Sequence, residues 1–178
     1  MKDKYFCFTC AFLKYNFLAV ALLLMSCHKE GENYKMERSE FATVANQLLR
    51  NENFLDSALQ SLSVTDGLSR YLIVRADQRR AYVEELKTQT YATQNPIGKQ
   101  VSAEILSMVQ QSKNKPVQEQ TKKFLEYIVL TDQDWVGLHV KGSGSSGVRD
   151  SGFRNWASQR LLLMQERLNN SQLQLQAN

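Results

Sequence analysis

Only a few residues in this 178-residue chain have side chains or spacings suited to chemistry. Gly142, Gly144 and Gly147 make a literal GxGxxG directly after an apolar stretch, the spacing that lets backbone approach a dinucleotide pyrophosphate. Such a turn works inside a strand, turn, helix and second strand, with an acid about 20 residues further on. Here the chain downstream reads as one helix, and Gln165-Glu166, near the required spacing, fall inside its stripe. No GK[ST] ending makes a phosphate-cradling loop either. Residues 142–147 therefore read as a flexible serine-glycine loop, and no cofactor is expected.

The two histidines are His28 and His139. One histidine in a folded domain cannot build a multi-histidine metal site, and neither HExxH nor a calcium-loop pattern occurs. His139 is expected to be a partly exposed loop residue, although its titration range would permit base chemistry. Two carboxylates can cleave a glycan, but Glu84 and Glu85 point apart on one helix, and Asp132 and Asp134 straddle an expected helix end. No catalytic residue and no metal ligand is assigned. Arg75 and Arg79 are one turn apart and share a face with basic character, either as ion pairs to acids of another helix or as a site for an anion. Trp135 and Trp156 flank the glycine loop as core residues or as anchors of a partner surface, where tryptophan is over-represented. Trp135, His139, Trp156, Arg75 and Arg79 are thus the candidate partner surface.

Cysteine has three positions, Cys7, Cys10 and Cys27. Residues 17–25, FLAVALLLM, are apolar, follow Lys2, Lys4 and Lys14, and stop at Ser26 before Cys27, which is the three-part layout of a secretory signal. A spanning helix needs roughly 20 apolar residues, about twice this run. The sequence Leu24-Met25-Ser26-Cys27 resembles the lipobox of bacterial lipoproteins, with Leu at −3, a small residue at −1 and then the cysteine. Met25 is bulkier than the usual −2 residue. That resemblance implies a diacylglycerol on Cys27, cleavage before it, and acylation of the new amino group. Two or more chains anchor a protein stably, where one binds marginally. The plainer alternative is a secreted protein whose Cys27 is incidental.

Removing Lys2, Lys4, Lys14 and Asp3 leaves 19 basic against 17 acidic residues. A near-neutral chain without a concentrated basic face gives no argument for nucleic acid. Cys7 and Cys10 have CxxC spacing but leave with the signal, so no thiol remains for a disulfide or a nucleophile.

Elements that position these residues can be read from hydrophobic spacing. Residues 27–38 read as the lipidated cysteine and a polar tether. Its acidic residues loosely resemble the signal that exports some Bacteroidota lipoproteins to the cell surface, while His28 at +2 points, by analogy with enteric bacteria, to the outer membrane facing the periplasm. From Ser39, a plausible N-cap, Phe41, Val44, Ala45, Leu48, Leu55, Leu59 and Leu62 recur at three and four. A capping box from Ser63 to Asp66 predicts a second helix striped by Leu68, Leu72, Ala76, Arg79, Val83 and Leu86, ending near Tyr91. Asn95-Pro96 predicts a third helix with Ile97, Val101, Ile105, Met108 and Val109, and Asn114-Lys115-Pro116 a fourth with Val117, Phe124, Leu125 and Ile128. Residues 135–140 alternate loosely as a short extended segment after Asp132. A last helix begins at Asp150 or Ser151, with Phe153, Trp156, Ala157, Leu161, Met164 and Leu168 inward, and frays beyond Asn169.

The expected architecture is an all-α bundle of about five helices spanning residues 39–172, after a signal peptide at 1–26 and before a frayed tail at 173–178. The expected function is non-catalytic: a lipid-anchored subunit that binds other cell-envelope proteins. In architecture it is similar to small helical lipoproteins of Bacteroidota trans-envelope machines, among them the accessory lipoprotein of type VI secretion systems and conjugation or entry-exclusion lipoproteins. The rival is an envelope hydrolase or glycan-binding lipoprotein with a cleft around Trp135, His139 and the glycine loop. A structural periplasmic spacer is the third reading.

Overall fold

The computed structural model describes residues 34–62, 64–90 and 100–178. The signal peptide, the lipobox, the CxxC pair, the tether as far as Asn33, Ser63, Tyr91, Asn95-Pro96 and Ile97 lie outside them.

In the unit Lys35–Asn178, the described residues form five helices: α1 Arg38–Gln60, α2 Asp66–Thr90, α3 Ala103–Ser112, α4 Val117–Ser143 and α5 Ser151–Ala177. The chain is an all-α bundle. Each long helix buries a stripe with alternating steps of four and three. In α1 it is Phe41, Ala45, Leu48, Glu52, Leu55 and Leu59. In α2 it is Leu68, Leu72, Arg75, Arg79, Tyr82 and Leu86, of which Arg79 is the partly exposed member. Helix α4 carries the longest run, Thr121, Leu125, Ile128, Asp132, Trp135, His139 and Gly142. A step averaging 3.5 residues keeps one seam facing its neighbours along a whole helix, the packing logic of antiparallel bundles.

Helices α4 and α5 form the most extensive pair, and α1 packs on α4. Phe41 at the start of α1 meets Gly142 at the end of α4, so those two run antiparallel. Helix α2 lies on α1 and closes more lightly on α5. Tyr71, near its start, meets Ser171 near the end of α5, and Glu85 meets Trp156, so this pair is antiparallel too. The short α3 rests on α4 and α1.

Several boundaries differ from those the sequence predicts. Ser39 lies inside the first turn of α1, one residue after its start. Thr65 caps α2: its hydroxyl accepts from the Leu68 amide at 3.4 Å. Helix α3 begins at Ala103, so Val101 precedes it and packs on the core outside the helix. Asn51 Oδ1 accepts from the Ser102 amide at 3.0 Å, so a side chain of α1 satisfies an amide that the start of α3 leaves without an intrahelical partner.

The larger correction concerns α4, which continues as helix through Asp132 and residues 135–140 to Ser143. The loose alternation that suggests a strand is produced by the four-three seam, because Asp132, Trp135 and His139 are all core positions. Asp150 caps α5 by accepting from the Phe153 amide at 2.7 Å, and that start agrees with the sequence. Its end does not. Helix α5 runs to Ala177, because Ser171 is fully buried and Leu175 packs on the core.

Candidate functional site: a charged layer inside the bundle

The apolar interior is in two parts. One surrounds Phe41, Tyr82, Trp135, Phe153 and Trp156 near the α4–α5 loop. The other surrounds Leu55, Leu59, Leu72, Phe124, Leu125 and Ile128 toward the opposite end. Between them lie charged residues from all four long helices: Glu52 and Asp56 from α1, Arg75 and Arg79 from α2, Asp132 from α4, and Arg167 from α5.

Arg75 is the hub. Its Nη1 donates to Asp132 Oδ2 at 2.7 Å and its Nε to Asp56 Oδ1 at 3.3 Å, while Nη2 lies 3.6 Å from Glu52 Oε1. Arg79 Nη1 reaches Asp56 Oδ2 at 2.5 Å. Arg167 Nη2 reaches Glu52 Oε1 at 2.6 Å and Asp132 Oδ1 at 3.3 Å. Trp135 Nε1 donates to the second Glu52 oxygen at 3.3 Å. Ser171 donates its hydroxyl to Asp132 Oδ2 and lies 2.7 Å from Tyr71 Oη. Three guanidinium groups therefore face three carboxylates, and the layer is neutral as a whole.

The electrostatics follow from burial. Desolvation pushes the Glu52 carboxyl up, but Arg167, Arg75 and Arg79 together hold it below its ordinary value. For Asp56 desolvation wins, helped by the neighbouring Glu52, and its carboxyl is raised against the pull of Arg75 and Arg79. Arg75 loses solvation, yet Asp132, Glu52 and Asp56 more than restore its charged form and raise it well above the ordinary value. Isolated charges of this kind are costly to bury, and pairing with hydrogen bonding is what makes them tolerable.

His139 belongs to the neighbouring aromatic cluster. It is fully buried, with Nδ1 3.0 Å from the Ala157 carbonyl and Nε2 3.0 Å from Tyr82 Oη. A carbonyl only accepts, so Nδ1 carries the proton and Nε2 accepts from the tyrosine. Burial lowers the histidine to about 4 and pushes the Tyr82 hydroxyl well above its ordinary value. Both groups are neutral around pH 7. Ring contacts bind the cluster together: Phe41 lies edge-on to His139 at 5.4 Å and to Phe153 at 5.0 Å.

These positions revise the sequence-based picture of a partner surface. Trp135, His139, Trp156 and Arg75 are buried and Arg79 is mostly so, so in this fold they form no surface. Arg75 and Arg79 make ion pairs to acids of other helices, the first of the two readings open for them. His139 is a buried residue of α4, not a partly exposed loop residue. Asp132 and Asp134 face opposite ways, one into the charged layer and one to solvent. Glu84 pairs with Lys87 at 2.7 Å on the surface, whereas Glu85 turns inward to Trp156 Nε1 at 3.2 Å.

The glycine motif is also structured. Gly142 is the last core position of α4, where a Cβ would come within 2.7 Å of the Phe41 ring. Gly147 is buried, and a Cβ there would lie 2.5 Å from the carbonyl oxygens of Gly142 and Lys141. The Gly147 amide donates to Gly144 and the Val148 amide to Gly142, at 2.9 and 3.2 Å. Residues 142–147 form a tight turn closed on the end of α4 by these hydrogen bonds.

Among the described residues no three or more histidine, cysteine, aspartate or glutamate side chains are placed to hold a metal ion, and no helix is long and apolar enough to cross a membrane. The residues that sequence reasoning missed are Glu52, Asp56, Tyr71, Asp132 as a core group, Arg167 and Ser171. Glu52, Asp132, Arg167 and Ser171 continue the four-three spacing through polar positions, whereas Asp56 and Tyr71 lie beside it. No family model, curated protein or solved structure matches the chain.

Proposed function

We propose that the chain is a lipid-anchored, non-catalytic subunit of a cell-envelope complex, a helical domain that docks other envelope proteins. The observation that carries this reading is Leu24-Met25-Ser26-Cys27 directly after the apolar run that begins at Phe17, with lysines before it. Acylation at Cys27 tethers the domain by one end, in the outer membrane facing the periplasm or at the cell surface. Within that class, the accessory lipoproteins of trans-envelope machines of the type VI secretion kind are the candidate to test first. Support also comes from the interior: the buried acids and arginines pair with one another and the buried histidine with Tyr82 and the Ala157 carbonyl, an arrangement suited to a rigid docking body.

The deciding experiment compares wild type with Cys27→Ala by crosslinking and detergent pull-down, alongside mass spectrometry of the N-terminal peptide. Acyl chains on Cys27, and a defined set of envelope proteins that the variant loses, are the expected result. An unmodified cysteine would overturn the anchored reading, and an acylated but solitary protein would overturn the subunit reading.

A further inference from the structure

The point at which the chain enters the bundle is fixed by a specific set of contacts. Lys35 donates its amide to the Ser146 carbonyl at 2.9 Å, and Met36 forms a parallel bridge with Val148. Both Met36 and Val148 are buried in the aromatic half of the core. After Glu37 α1 begins, and Arg38 pairs with Asp150 at 2.6 Å while its Nη1 donates to the Gln89 carbonyl at 3.0 Å. The start of α1, the end of α2, the end of α4 and the start of α5 are thereby tied into one pole. Gly147 makes the tie available, since a side chain there would collide with the backbone that presents Ser146 and Val148.

If Cys27 carries the lipid, as the proposed function holds, chain length limits how far this pole can stand from the bilayer. Seven residues separate Cys27 from Lys35, and a fully extended chain covers at most about 3.6 Å per residue. The clamp at Lys35 is therefore held within roughly 30 Å of the acylated cysteine. Helix α4 has 27 residues, which at 1.5 Å each place the two poles of the bundle about 40 Å apart. The tether is shorter than the body it holds.

We propose that the pole formed by residues 35–38, 87–90 and 144–150 is the face of the bundle held at the bilayer, with the α1–α2 turn, the α3–α4 turn and the end of α5 presented away from it. The exposed charges at the held pole are mixed, with Lys35, Lys87 and Arg149 beside Glu37 and Asp150. Covalent reach and the fixed exit point, rather than attraction to headgroups, set the orientation.

The test uses the full lipidated protein purified from membranes and reconstituted into phosphatidylethanolamine and phosphatidylglycerol vesicles that contain a headgroup-labelled acceptor lipid. Once the signal is removed and Cys27 acylated, an introduced cysteine is the sole free thiol. Ser145→Cys places a donor dye at the held pole and Asn114→Cys places one at the other; both sites are exposed turn positions, and circular dichroism confirms that each variant is folded. Energy transfer several-fold higher from position 145 than from 114 is expected. Equal transfer, or more from 114, with an acylated Cys27 in the same sample, overturns the orientation and leaves the anchor standing. An unacylated Cys27 overturns both.

Discussion

Arg75 and Asp132, 57 residues apart in sequence, meet at 2.7 Å with side chains 2% and 1% exposed. Two helices that share no turn are thereby held at one height along the bundle. Apolar seams alone tolerate sliding by a turn, because one leucine replaces another. A charged layer does not, since a displaced helix would leave an arginine or a carboxylate alone in the core. Buried polar groups fix register in some coiled coils, and the layer between the two apolar halves is placed to do the same here.

Removing one member should therefore cost more than its own contacts. Asp132→Leu removes one of the two carboxylates that Arg75 and Arg167 share, leaving them only Glu52 in common, and a loss of about 3–5 kcal/mol is expected. Urea unfolding measures it. Arg75→Met combined with Asp132→Leu should be less damaging than the sum of the singles, by roughly 0.5–3 kcal/mol. Simple additivity would show that the two do not act as a unit.

The neutral His139 predicts a specific acid sensitivity. Its folded value of about 4 lies below the 6.5 of an unconstrained histidine, so the unfolded chain takes up a proton that the folded chain refuses. Stability from this group is complete above pH 6.5 and is lost as pH falls from there toward 4. The total is on the order of 3 kcal/mol, from 1.36 kcal/mol for each tenfold change in proton affinity. Glu52, held below its ordinary value by three arginines, adds a loss at lower pH, whereas the raised Asp56 acts in the opposite sense. Unfolding curves at pH 7 and pH 5 should differ for wild type, and His139→Gln should shrink that difference. An unchanged difference would assign the acid sensitivity to another group.

Helix content was legible in the sequence because Leu, Phe and Ile at three-four spacing mark α1, α3 and the first half of α4. The charged layer was not, because the same periodicity is carried there by Glu52, Arg75, Asp132 and Arg167, residue types that are almost never fully buried unless paired. Pairing is a tertiary fact. With Asp132 set aside as polar, the seam looks broken, and Trp135 to Val140 take on the pattern of a strand. For α2 the same bias moves the stripe onto Ala76 and Val83, when Arg75 and Tyr82 are the inward residues. The polar tail of α5 misleads similarly: Ser171 is fully buried because Asp132, Tyr71 and Arg75 meet it from other helices.

Two glycines of α4 should respond oppositely to alanine. At Gly137 a Cβ meets nothing within 4 Å, so Gly137→Ala gains helix propensity and should stabilise by about 0.5–1 kcal/mol. At Gly142 the added carbon would lie 2.7 and 2.9 Å from Phe41 ring atoms. That ring also contacts His139, Phe153 and Trp156, so it has little freedom to move, and Gly142→Ala should destabilise by about 1–3 kcal/mol through overpacking. Midpoints of thermal unfolding should move in opposite directions.

The end of α5 tests whether the layer reaches as far as the contacts indicate. Ser171 sits one turn beyond Arg167, donates to Asp132 and accepts from Arg75 Nη1 at 3.2 Å. Its loss leaves a buried carboxylate and Tyr71 Oη each short of a partner. Ser171→Ala should cost about 1–3 kcal/mol, the penalty of an unsatisfied buried group. Gln172→Ala, one residue on and exposed, should stay within about 0.5 kcal/mol of wild type. Amide hydrogen exchange separates the two cases further. A helix end pinned by Ser171 predicts protection through the turn around residue 171 in wild type, falling in Ser171→Ala without a matching fall around Asp150. If wild type already exchanges freely beyond Asn169, the tail is not held by the charged layer.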